Sequence, residues 1–542
     1  MSLAGDAAGR LLRLPRPRTA DVTVERDLRV PMADGAVLLA DRWVARGAPA
    51  RQPTVLIRSP YGRAQLFGLL FGRLLAERGL QVVVQSVRGT FGSGGEFNPF
   101  DERGDGVATL DWLDAQPWHD GRVGMTGPSY LGLTQWAIAR DPRLAALAPS
   151  VTASQFHGQT YGGGSISLDT AMSWMVVIAM QERRLGPLHL LRGLRRLPPL
   201  LDQLPIGELD ASVTGAPVPW FRESLQHSAR DDPWWVARDF SAGIGEVRAP
   251  VQLVGGWHDI FLPWMLEDFA ALRAAGNPAQ LVVGPWTHTA PGAAVSGARN
   301  GLAWLRAHLL GDRRLLRDAP VQVHVGGGGG GWRELDAWPP PEATPLRLHL
   351  HPGGRLARAE PPAGAEPSRY RYDPADPTPS LGGPTLFARE PVVDNRPLER
   401  RADVLVFSTD VLRAPVEAIG PVEAELHVGA TTEHFDVFAR VCDVHPDGTS
   451  YNVCDALVRV EPGRFPVAED GTTRVTLPLW PTAHRFGGGH RIRLQVSSGA
   501  HPRYARNPGT GEPPATARRL VAADLAVRGD AAHPSAVTLT VV

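Results

Sequence analysis

Short apolar runs that alternate with a helical pattern are the feature that most restricts how this chain can fold. Five runs have the length and composition of buried strands, and they lie at 54–58, 80–84, 122–126, 251–255 and 280–284. Between the second and third of these, Val107, Leu110 and Leu113 recur at helical spacing. Because strands that alternate with helices form a parallel sheet covered on both faces, the sequence predicts an α/β fold.

Two further segments depart from this pattern and set the predicted domain boundaries. One carries Met and Trp near 172–180 and a Leu- and Arg-rich stretch at 188–205, which favours a mostly helical insertion over the sheet. After about residue 336, alternating runs are separated by Pro-Asp-Gly and Gly-Gly-Gly turns, a pattern typical of a β-sandwich or jelly roll. The predicted domains are a loose tail at 1–20, an α/β domain made of 21–152 and 242–336, a helical cap at 153–241, and a jelly roll at 337–542.

The basic residues narrow the chemistry, because all 56 of them are arginine. Without lysine, Schiff-base catalysis, a lysine-bound pyridoxal cofactor and the lysine of a phosphate-binding loop are excluded. The 56 acidic residues balance the 56 basic ones, so no global field attracts nucleic acid or an anionic membrane. The apolar run near the N-terminus is too short for a secretory signal, and no run is long enough for a membrane helix. We therefore expect a cytoplasmic protein with neither nucleic-acid nor membrane partners.

Cysteine and histidine spacing gives no metal or disulfide signal. Cys442 and Cys454 flank a predicted Pro-Asp-Gly turn, and buried reduced thiols are favoured over a disulfide across a hairpin. His349 and His351 share one face of a predicted strand, but no third ligand lies near them in the sequence. The sequence therefore predicts that the protein has no metal site.

The most informative stretch is Gly127-Pro-Ser-Tyr-Leu-Gly132, which joins a predicted buried strand directly to an apolar helical segment. A serine at such a turn sits in strained backbone with its hydroxyl exposed at the sheet edge. Ser129 is accordingly a candidate nucleophile. The usual elbow has glycine two positions after the serine, whereas here that position is Leu131 and the glycine follows one later. By itself the motif favours a structural turn over a catalytic serine.

Two later residues provide the partners that a nucleophilic serine needs. Asp259 closely follows the strand at 251–255, and His288 closely follows the strand at 280–284. This is the order Ser, Asp, His of an α/β-hydrolase, in which the imidazole removes the serine proton and the carboxylate orients the imidazole. Taken singly, Asp259 would be a helix cap and His288 a loop histidine. His258 is a weaker base candidate, because on an extended segment it points away from the side that Asp259 occupies.

At this point the sequence resembles the CocE/NonD-type serine hydrolases, a family that comprises cocaine esterase, X-prolyl dipeptidyl-peptidases and α-amino-acid ester hydrolases. The resemblance extends from about residue 24 to 542, and the late glycine of the elbow is this family's own pattern. Its landmarks are Arg58-Ser-Pro-Tyr61-Gly, Val87-Arg-Gly-Thr-Phe-Gly-Ser-Gly-Gly-Glu-Phe97, Gln116-Pro-Trp118, the Ser129 elbow, Gly255-Gly-Trp-His-Asp259, Gly284-Pro-Trp-Thr-His288, Pro446-Asp-Gly-Thr-Ser450 and Gly489-His-Arg-Ile-Arg493.

The resemblance implies an α/β-hydrolase domain, an inserted cap and a C-terminal jelly roll, with a role for several residues. Ser129 would be the nucleophile, His288 the base and Asp259 the acid. The backbone N–H of Tyr130 and the phenol of Tyr61 would hold the oxyanion. Trp257, Phe261 and Trp286 flank the proposed acid and base, and Trp174 lies in the insertion. The four are candidates for an aromatic acyl pocket, and the resemblance implies such aromatics around Phe261 and Trp174. Core packing is the competing interpretation of all four.

We therefore predict a serine acyl hydrolase that acts on a small ester or amide through a covalent acyl-enzyme, without cofactor or metal. An X-Pro dipeptidyl-peptidase and an acyltransferase are the alternatives on the same scaffold. A peptidase would need a carboxylate for the free amine of its substrate, and the insertion offers Asp169, Glu182, Glu208 and Asp210. A non-enzymatic carbohydrate- or partner-binding protein is a more distant alternative, and the question of a homo-oligomer stays open.

Overall fold

A computed structural model of the chain describes residues 3–388 and 390–542. The strands of these residues are β1 Val22–Pro31, β2 Val37–Ala45, β3 Gln52–Ser59, β4 Gln81–Ser86, β5 His119–Pro128, β6 Leu144–Ser150, β7 Gln252–His258, β8 Gln280–Thr287, β9 Val321–Gly327, β10 Gly331–Leu335, β11 Thr344–His351, β12 Arg355–Ala357, β13 Ser368–Tyr372, β14 Leu405–Ser408, β15 Val416–Ala430, β16 Phe435–Val444, β17 Ser450–Val460, β18 Thr473–Phe486, β19 Arg491–Ser497, β20 Ala523–Arg528 and β21 Ala536–Val541.

The α-helices of the same residues are α1 Leu3–Leu11, α2 Gln65–Phe67, α3 Leu74–Ala76, α4 Arg103–Asp114, α5 Tyr130–Trp136, α6 His157–Thr160, α7 Leu168–Met180, α8 Gly186–Arg196, α9 Leu209–Thr214, α10 Pro219–Ser224, α11 Pro233–Val236, α12 Leu262–Ala274, α13 Pro291–Leu310 and α14 Arg396–Glu399. None of these helices combines the length and apolar character needed to cross a membrane.

The chain divides into two compact units. The first contains residues up to 156 together with 180–186 and 231–322, and the second contains 157–179, 187–230 and 323–542. Most of the predicted cap thus falls in the unit that also holds the C-terminal strands. Hydrogen bonds within that unit explain the grouping, since Ser165 Oγ donates to the carbonyl of Ala505 and the Asp169 N–H donates to the carbonyl of Pro502.

The first unit is built on one eight-stranded sheet with the order β1-β2-β4-β3-β5-β6-β7-β8. The pairs β1–β2 and β2–β4 are antiparallel, and every pair from β4 onward is parallel. Every residue of β3 and β4 is buried, as expected when helices cover both faces of a parallel sheet. The five predicted strands correspond to β3, β4, β5, β7 and β8, so the predicted α/β architecture is confirmed.

The N-terminal segment differs from the loose tail expected from the sequence. Its residues Leu3–Leu11 form α1. The N–H of Arg18 donates to the carbonyl of Glu77, and the guanidinium of Arg78 donates to the carbonyl of Pro15. These long-range backbone contacts attach the segment to the end of the helix that follows β3, and no local sequence pattern signals them.

The second unit is dominated by a β-sandwich whose two sheets enclose an apolar core. Strand β15 alternates between buried and accessible positions and pairs with β18 on one side and with β20 and β21 on the other. A second set of strands runs β17-β16-β19-β14. Alternation of this kind places one side of each strand in the core. The predicted C-terminal β-domain is confirmed.

Candidate active site

The turn between β5 and α5 holds Ser129 in a conformation that few residues with a side chain adopt. Its φ is 57° and its ψ is −125°, so the turn stores strain and points the hydroxyl out of the strand direction. Small neighbours make this turn feasible. A Cβ on Gly127 would lie 2.6 Å from the Cβ of Leu131, and one on Gly132 would lie 2.2 Å from Cγ2 of Thr152.

Ser129, His288 and Asp259 form one continuous hydrogen-bonded chain. The Oγ of Ser129 lies 3.0 Å from Nε2 of His288, and Nδ1 of His288 lies 2.7 Å from Oδ1 of Asp259. The carboxylate of Asp259 is fully buried, and the imidazole is 6% exposed. A carboxylate that accepts from Nδ1–H leaves Nε2 free to take a proton from the serine hydroxyl. His288, rather than His258, makes both contacts.

Strand register explains why three residues distant in sequence meet. The parallel strands β5, β6, β7 and β8 pair in turn, with Pro128 opposite Ser150, Ser150 opposite Val254, and Gly256 opposite Gly284. Each of the three side chains follows the carboxyl end of its strand. Since the carboxyl ends of parallel strands share one edge of a sheet, this edge is where a ligand pocket is expected.

The two residues predicted for the oxyanion lie at the same edge. β3 and β5 pair in parallel, with Leu56 opposite Met125, and Tyr61 follows the carboxyl end of β3 as Ser129 follows that of β5. Neighbouring strands are about 4.8 Å apart. Tyr61 is half-buried, and its ring lies 5.6 Å from that of Phe67. The backbone N–H of Tyr130 belongs to the first residue of α5.

A buried polar network behind the elbow was not foreseen from the sequence. The phenol of Tyr130 donates to Oε1 of Glu102 at 2.8 Å and accepts from the N–H of Phe100 at 3.0 Å. Arg58 forms an ion pair with Oε2 of Glu102 at 2.9 Å and donates to Gln85 at 2.8 Å. Burial raises the pKa of Glu102, although Arg58 opposes the shift. The network anchors the residue whose backbone follows the serine.

One signal in the sequence could have indicated this network: an arginine, Arg58, lies inside a predicted buried strand. Arg58 is completely buried in β3, and a charge in such a position requires a partner. That partner, Glu102, lies 44 residues later, and the third member, Tyr130, is a further 28 residues along the chain. Neither separation follows from a local pattern.

The four aromatic pocket candidates have different surroundings. Phe261 is buried, with its ring 5.6 Å from the imidazole of His288 and 4.4 Å from the ring of Phe156. Trp286 lies against glycine, since a Cβ on Gly284 would come within 2.6 Å of its indole. Trp257 is buried. Trp174 belongs to the second unit and packs edge-on against Trp220 at 5.4 Å. The ring of Phe261 thus lies next to the imidazole of His288.

A second buried carboxyl lies close in sequence to the candidate acid. Asp268 on α12 accepts hydrogen bonds from the N–H of Ser154 at 2.8 Å and from its Oγ at 2.5 Å. Burial raises the pKa of Asp268 to about 8, although both hydrogen bonds oppose the shift. The carboxyl is thus mostly neutral at pH 7, and it ties the helix that follows Asp259 to the segment after β6.

Comparison with known proteins relates the chain to hydrolases. The family profile of the X-Pro dipeptidyl-peptidases (S15 family) matches residues 34–290, and that of the X-Pro dipeptidyl-peptidase C-terminal non-catalytic domain matches residues 316–538. Cocaine esterase from Rhodococcus sp. (strain MB1 Bresler) is 32% identical over 550 residues, which cover 90% of this chain and 93% of the esterase.

Two solved structures share the fold over nearly the whole chain. An α-amino acid ester hydrolase superposes with a TM-score of 0.80 at 23% identity and covers 98% of both chains. An aminopeptidase from a marine sediment archaeon, Thaumarchaeota archaeon, superposes with a TM-score of 0.79 at 22% identity and covers 97% of both chains. At these identities the likeness extends to the fold alone.

Proposed function

The chain belongs to the X-Pro dipeptidyl-peptidase (S15) family, a family of serine hydrolases of ester or peptide bonds, and from this premise we propose that it is an esterase acting through Ser129, His288 and Asp259. The observation that supports these roles is the continuous chain of hydrogen bonds, 3.0 Å and 2.7 Å long, from the serine hydroxyl through the imidazole to a buried carboxylate. The substrate class is a small ester, as for the cocaine esterase that shares 32% identity.

The proposed reaction has two steps that use the same residues. Oγ of Ser129 attacks the ester carbonyl carbon while Nε2 of His288 takes the hydroxyl proton, and Asp259 stabilises the resulting imidazolium. The tetrahedral intermediate expels the alcohol, which takes the proton from His288, and leaves an acyl group on Ser129. Water then gives a proton to His288 and attacks the acyl carbon, and the second tetrahedral intermediate collapses to release the acid while the imidazolium of His288 returns that proton to Oγ of Ser129.

Two hydrogen-bond donors are proposed to hold the oxyanion, the N–H of Tyr130 and the phenol of Tyr61. The role of Tyr61 is supported by its position after the carboxyl end of β3, the strand that pairs in parallel with the strand preceding Ser129. The network of Glu102 and Arg58 supports the role of Tyr130, because it restrains the residue that carries the N–H. Donors that are held before the reaction stabilise developing charge without a cost of reorganisation.

The surroundings of the carboxylates in the insertion favour an esterase over an X-Pro dipeptidyl-peptidase. Asp210 is paired with Arg222 at 2.7 Å, and Glu208 is paired with Arg518. Glu182 accepts from the N–H of Phe91 at 3.0 Å. Desolvation raises the pKa of Asp169 to about 7, which leaves much of this carboxyl uncharged at neutral pH. None of the four is thus a dedicated anchor for the amine of a peptide.

A substrate panel tests the proposal. We expect p-nitrophenyl esters of short acids to be hydrolysed with a higher kcat/KM than aminoacyl-prolyl p-nitroanilides, and a fluorophosphonate probe to label Ser129, as mass spectrometry of the labelled peptide would show. Turnover of the prolyl amides alone would establish the peptidase alternative. Absence of both labelling and turnover would contradict the proposed site.

Replacing Tyr61 with phenylalanine tests the proposed oxyanion donor. The change keeps the ring that packs against Phe67 and removes only the hydroxyl. We expect kcat to fall by about 10²- to 10³-fold, the usual loss for one oxyanion donor, and KM to change little, because the lost bond is made in the transition state. Steady-state kinetics with a p-nitrophenyl ester measures both constants.

The matched control is Tyr370→Phe, which removes a phenol that hydrogen-bonds Ser498 Oγ at 2.8 Å within the β-domain. Its kcat should equal that of the wild type. If Tyr61→Phe also kept full kcat, the phenol would not hold the oxyanion.

A further inference from the structure

Three histidines surround one buried carboxylate in the C-terminal β-domain. Asp443 lies near the end of β16 and is 1% exposed. His445 follows β16, His484 lies in β18, and His490 directly precedes β19. This cluster, Asp443, His445, His484 and His490, takes no part in the reaction proposed above. Buried carboxylates need partners, but three imidazoles exceed what one carboxylate requires.

The distances within the cluster distinguish two kinds of contact. Nδ1 of His490 lies 2.7 Å from Oδ1 of Asp443, and Nε2 of His484 lies 3.0 Å from Oδ2, so each carboxylate oxygen has a hydrogen-bond partner. Nε2 of His445 lies 3.8 Å from Oδ2, which is too long for a hydrogen bond. The ligand atoms of Asp443, His445 and His490 nevertheless all lie within 4.8 Å of one another.

The register of β16 and β19 brings these residues together. In the antiparallel pair β16–β19, Asp443 is opposite Ile492 and Val444 is opposite Arg491. Continuing the register by one position places His445 opposite His490, where side chains of directly opposed residues contact, and their ring centroids are 4.4 Å apart. The turn after β16 is closed by a hydrogen bond from the N–H of His445 to the carbonyl of Thr449.

From this geometry we propose that Asp443, His445 and His490 bind a divalent transition-metal ion of the Zn²⁺ type, and that His484 holds the carboxylate of Asp443 in place. Two imidazole nitrogens and one carboxylate oxygen suit zinc, whereas Ca²⁺ and Mg²⁺ prefer oxygen ligands alone. Water would complete a tetrahedron. Hydrogen bonding of a ligand by a second side chain is the arrangement that metal sites use to orient their ligands.

Only small movements would convert the described arrangement into a coordination sphere. Zinc bonds of 2.0–2.2 Å in a tetrahedron require ligand atoms about 3.3 Å apart. The 2.7 Å contact of His490 with Oδ1 of Asp443 would open by roughly half an ångström. His445, whose Nε2 lies 3.8 Å from Oδ2, would turn toward the ion that the other two ligands share, starting from ligand atoms that lie within 4.8 Å of one another. His445 is 38% exposed, so its ring has room to turn. The bound ion would connect the turn after β16 to the segment before β19 and stabilise the β-domain.

Titration of EDTA-treated, dialysed full-length protein with ZnCl₂ tests the proposal. We expect one equivalent to bind by calorimetry and the melting temperature to rise with zinc concentration. Co²⁺ should give the intense visible absorption bands of a tetrahedral site. His445→Ala should weaken Zn²⁺ binding by more than about 100-fold, and His484→Gln by about 10- to 100-fold, the usual loss for a residue that orients a ligand.

His351→Gln is the matched control, because this histidine lies in the same domain and hydrogen-bonds the carbonyl of Ala359; its zinc affinity should equal that of the wild type. Since His445 is the most exposed member, its variant should fold, and circular dichroism checks this. Absence of stoichiometric zinc binding, or equal affinity in wild type and His445→Ala, would overturn the proposal. Ester hydrolysis is measured separately on the metal-free protein, so that failure of the zinc site can be distinguished from failure of the proposed esterase function.

Discussion

Replacing Ser129 with alanine should lower kcat for ester hydrolysis by about 10⁴- to 10⁶-fold, the range seen when the nucleophile of a serine hydrolase is removed. Alanine keeps the Cβ and therefore the strained elbow, so the loss comes from the missing oxygen alone. Without Oγ no acyl-enzyme can form, and only the oxyanion donors and substrate binding remain to accelerate attack by water. Initial rates with a p-nitrophenyl ester measure the decrease, and loss of fluorophosphonate labelling identifies its cause.

Ser296→Ala is a suitable control for this experiment. Ser296 lies on α13 in the same unit and accepts a hydrogen bond from Asn300 at 3.1 Å. It has no part in the proposed reaction. It should retain both turnover and labelling. A Ser129→Ala protein that kept wild-type turnover with an unchanged melting temperature would refute the assignment of the nucleophile.

Replacing Asp259 with asparagine should lower kcat by about 10⁴-fold, because the amide cannot enforce the required imidazole tautomer. The carboxylate accepts the Nδ1–H of His288 at 2.7 Å and so leaves Nε2 as the acceptor for the serine proton. An amide can present its NH₂ group to Nδ1, in which case Nε2 carries the hydrogen and cannot act as a base. The amide also lacks the charge that stabilises the imidazolium. Steady-state kinetics with the same ester gives the size of the effect.

Asp268→Asn makes the same chemical change at a second buried aspartate of the same unit. The raised pKa of Asp268, about 8, means that a neutral carboxyl is replaced by a neutral amide at pH 7. Its kcat should be unchanged. If kcat fell by a similar factor in both variants, the effect of Asp259→Asn would come from a general disturbance of β7 and α12 and not from the loss of the carboxylate that orients His288.

Local patterns were sufficient for the elements that carry the candidate site. The apolar runs at 54–58 and 280–284 correspond to β3 and β8. The helical spacing of Val107, Leu110 and Leu113 corresponds to α4, Arg103–Asp114. Periodicity reports burial of a strand or a helix face directly, which is why the strand-to-helix turn at Ser129 could be located. Ser129, Asp259 and His288 could then be assigned in this order, because each of them closely follows a predicted strand.

Local sequence patterns could not predict which residues of distant strands lie opposite one another. The only histidine pair that the sequence suggested for a metal was His349 and His351, because they are two residues apart. The structure instead brings together His445 and His490, which are 45 residues apart and lie opposite each other through the pairing of β16 with β19. The anchoring of Tyr130 by Glu102 likewise depends on the packing of α4 and α5 near β3.

The amino-acid sequence by itself determined the α/β domain, the β-domain, the family and the three residues proposed for the reaction, because each depends on local periodicity or on a motif at a strand end. Tertiary structure alone decided which distant polar groups meet, including the buried partner of Arg58, the grouping of the helical insertion with the β-domain, and the histidine cluster at Asp443. The physical reason is that burial acts residue by residue along a strand or helix, whereas strand register and helix docking depend on the packing of the whole domain.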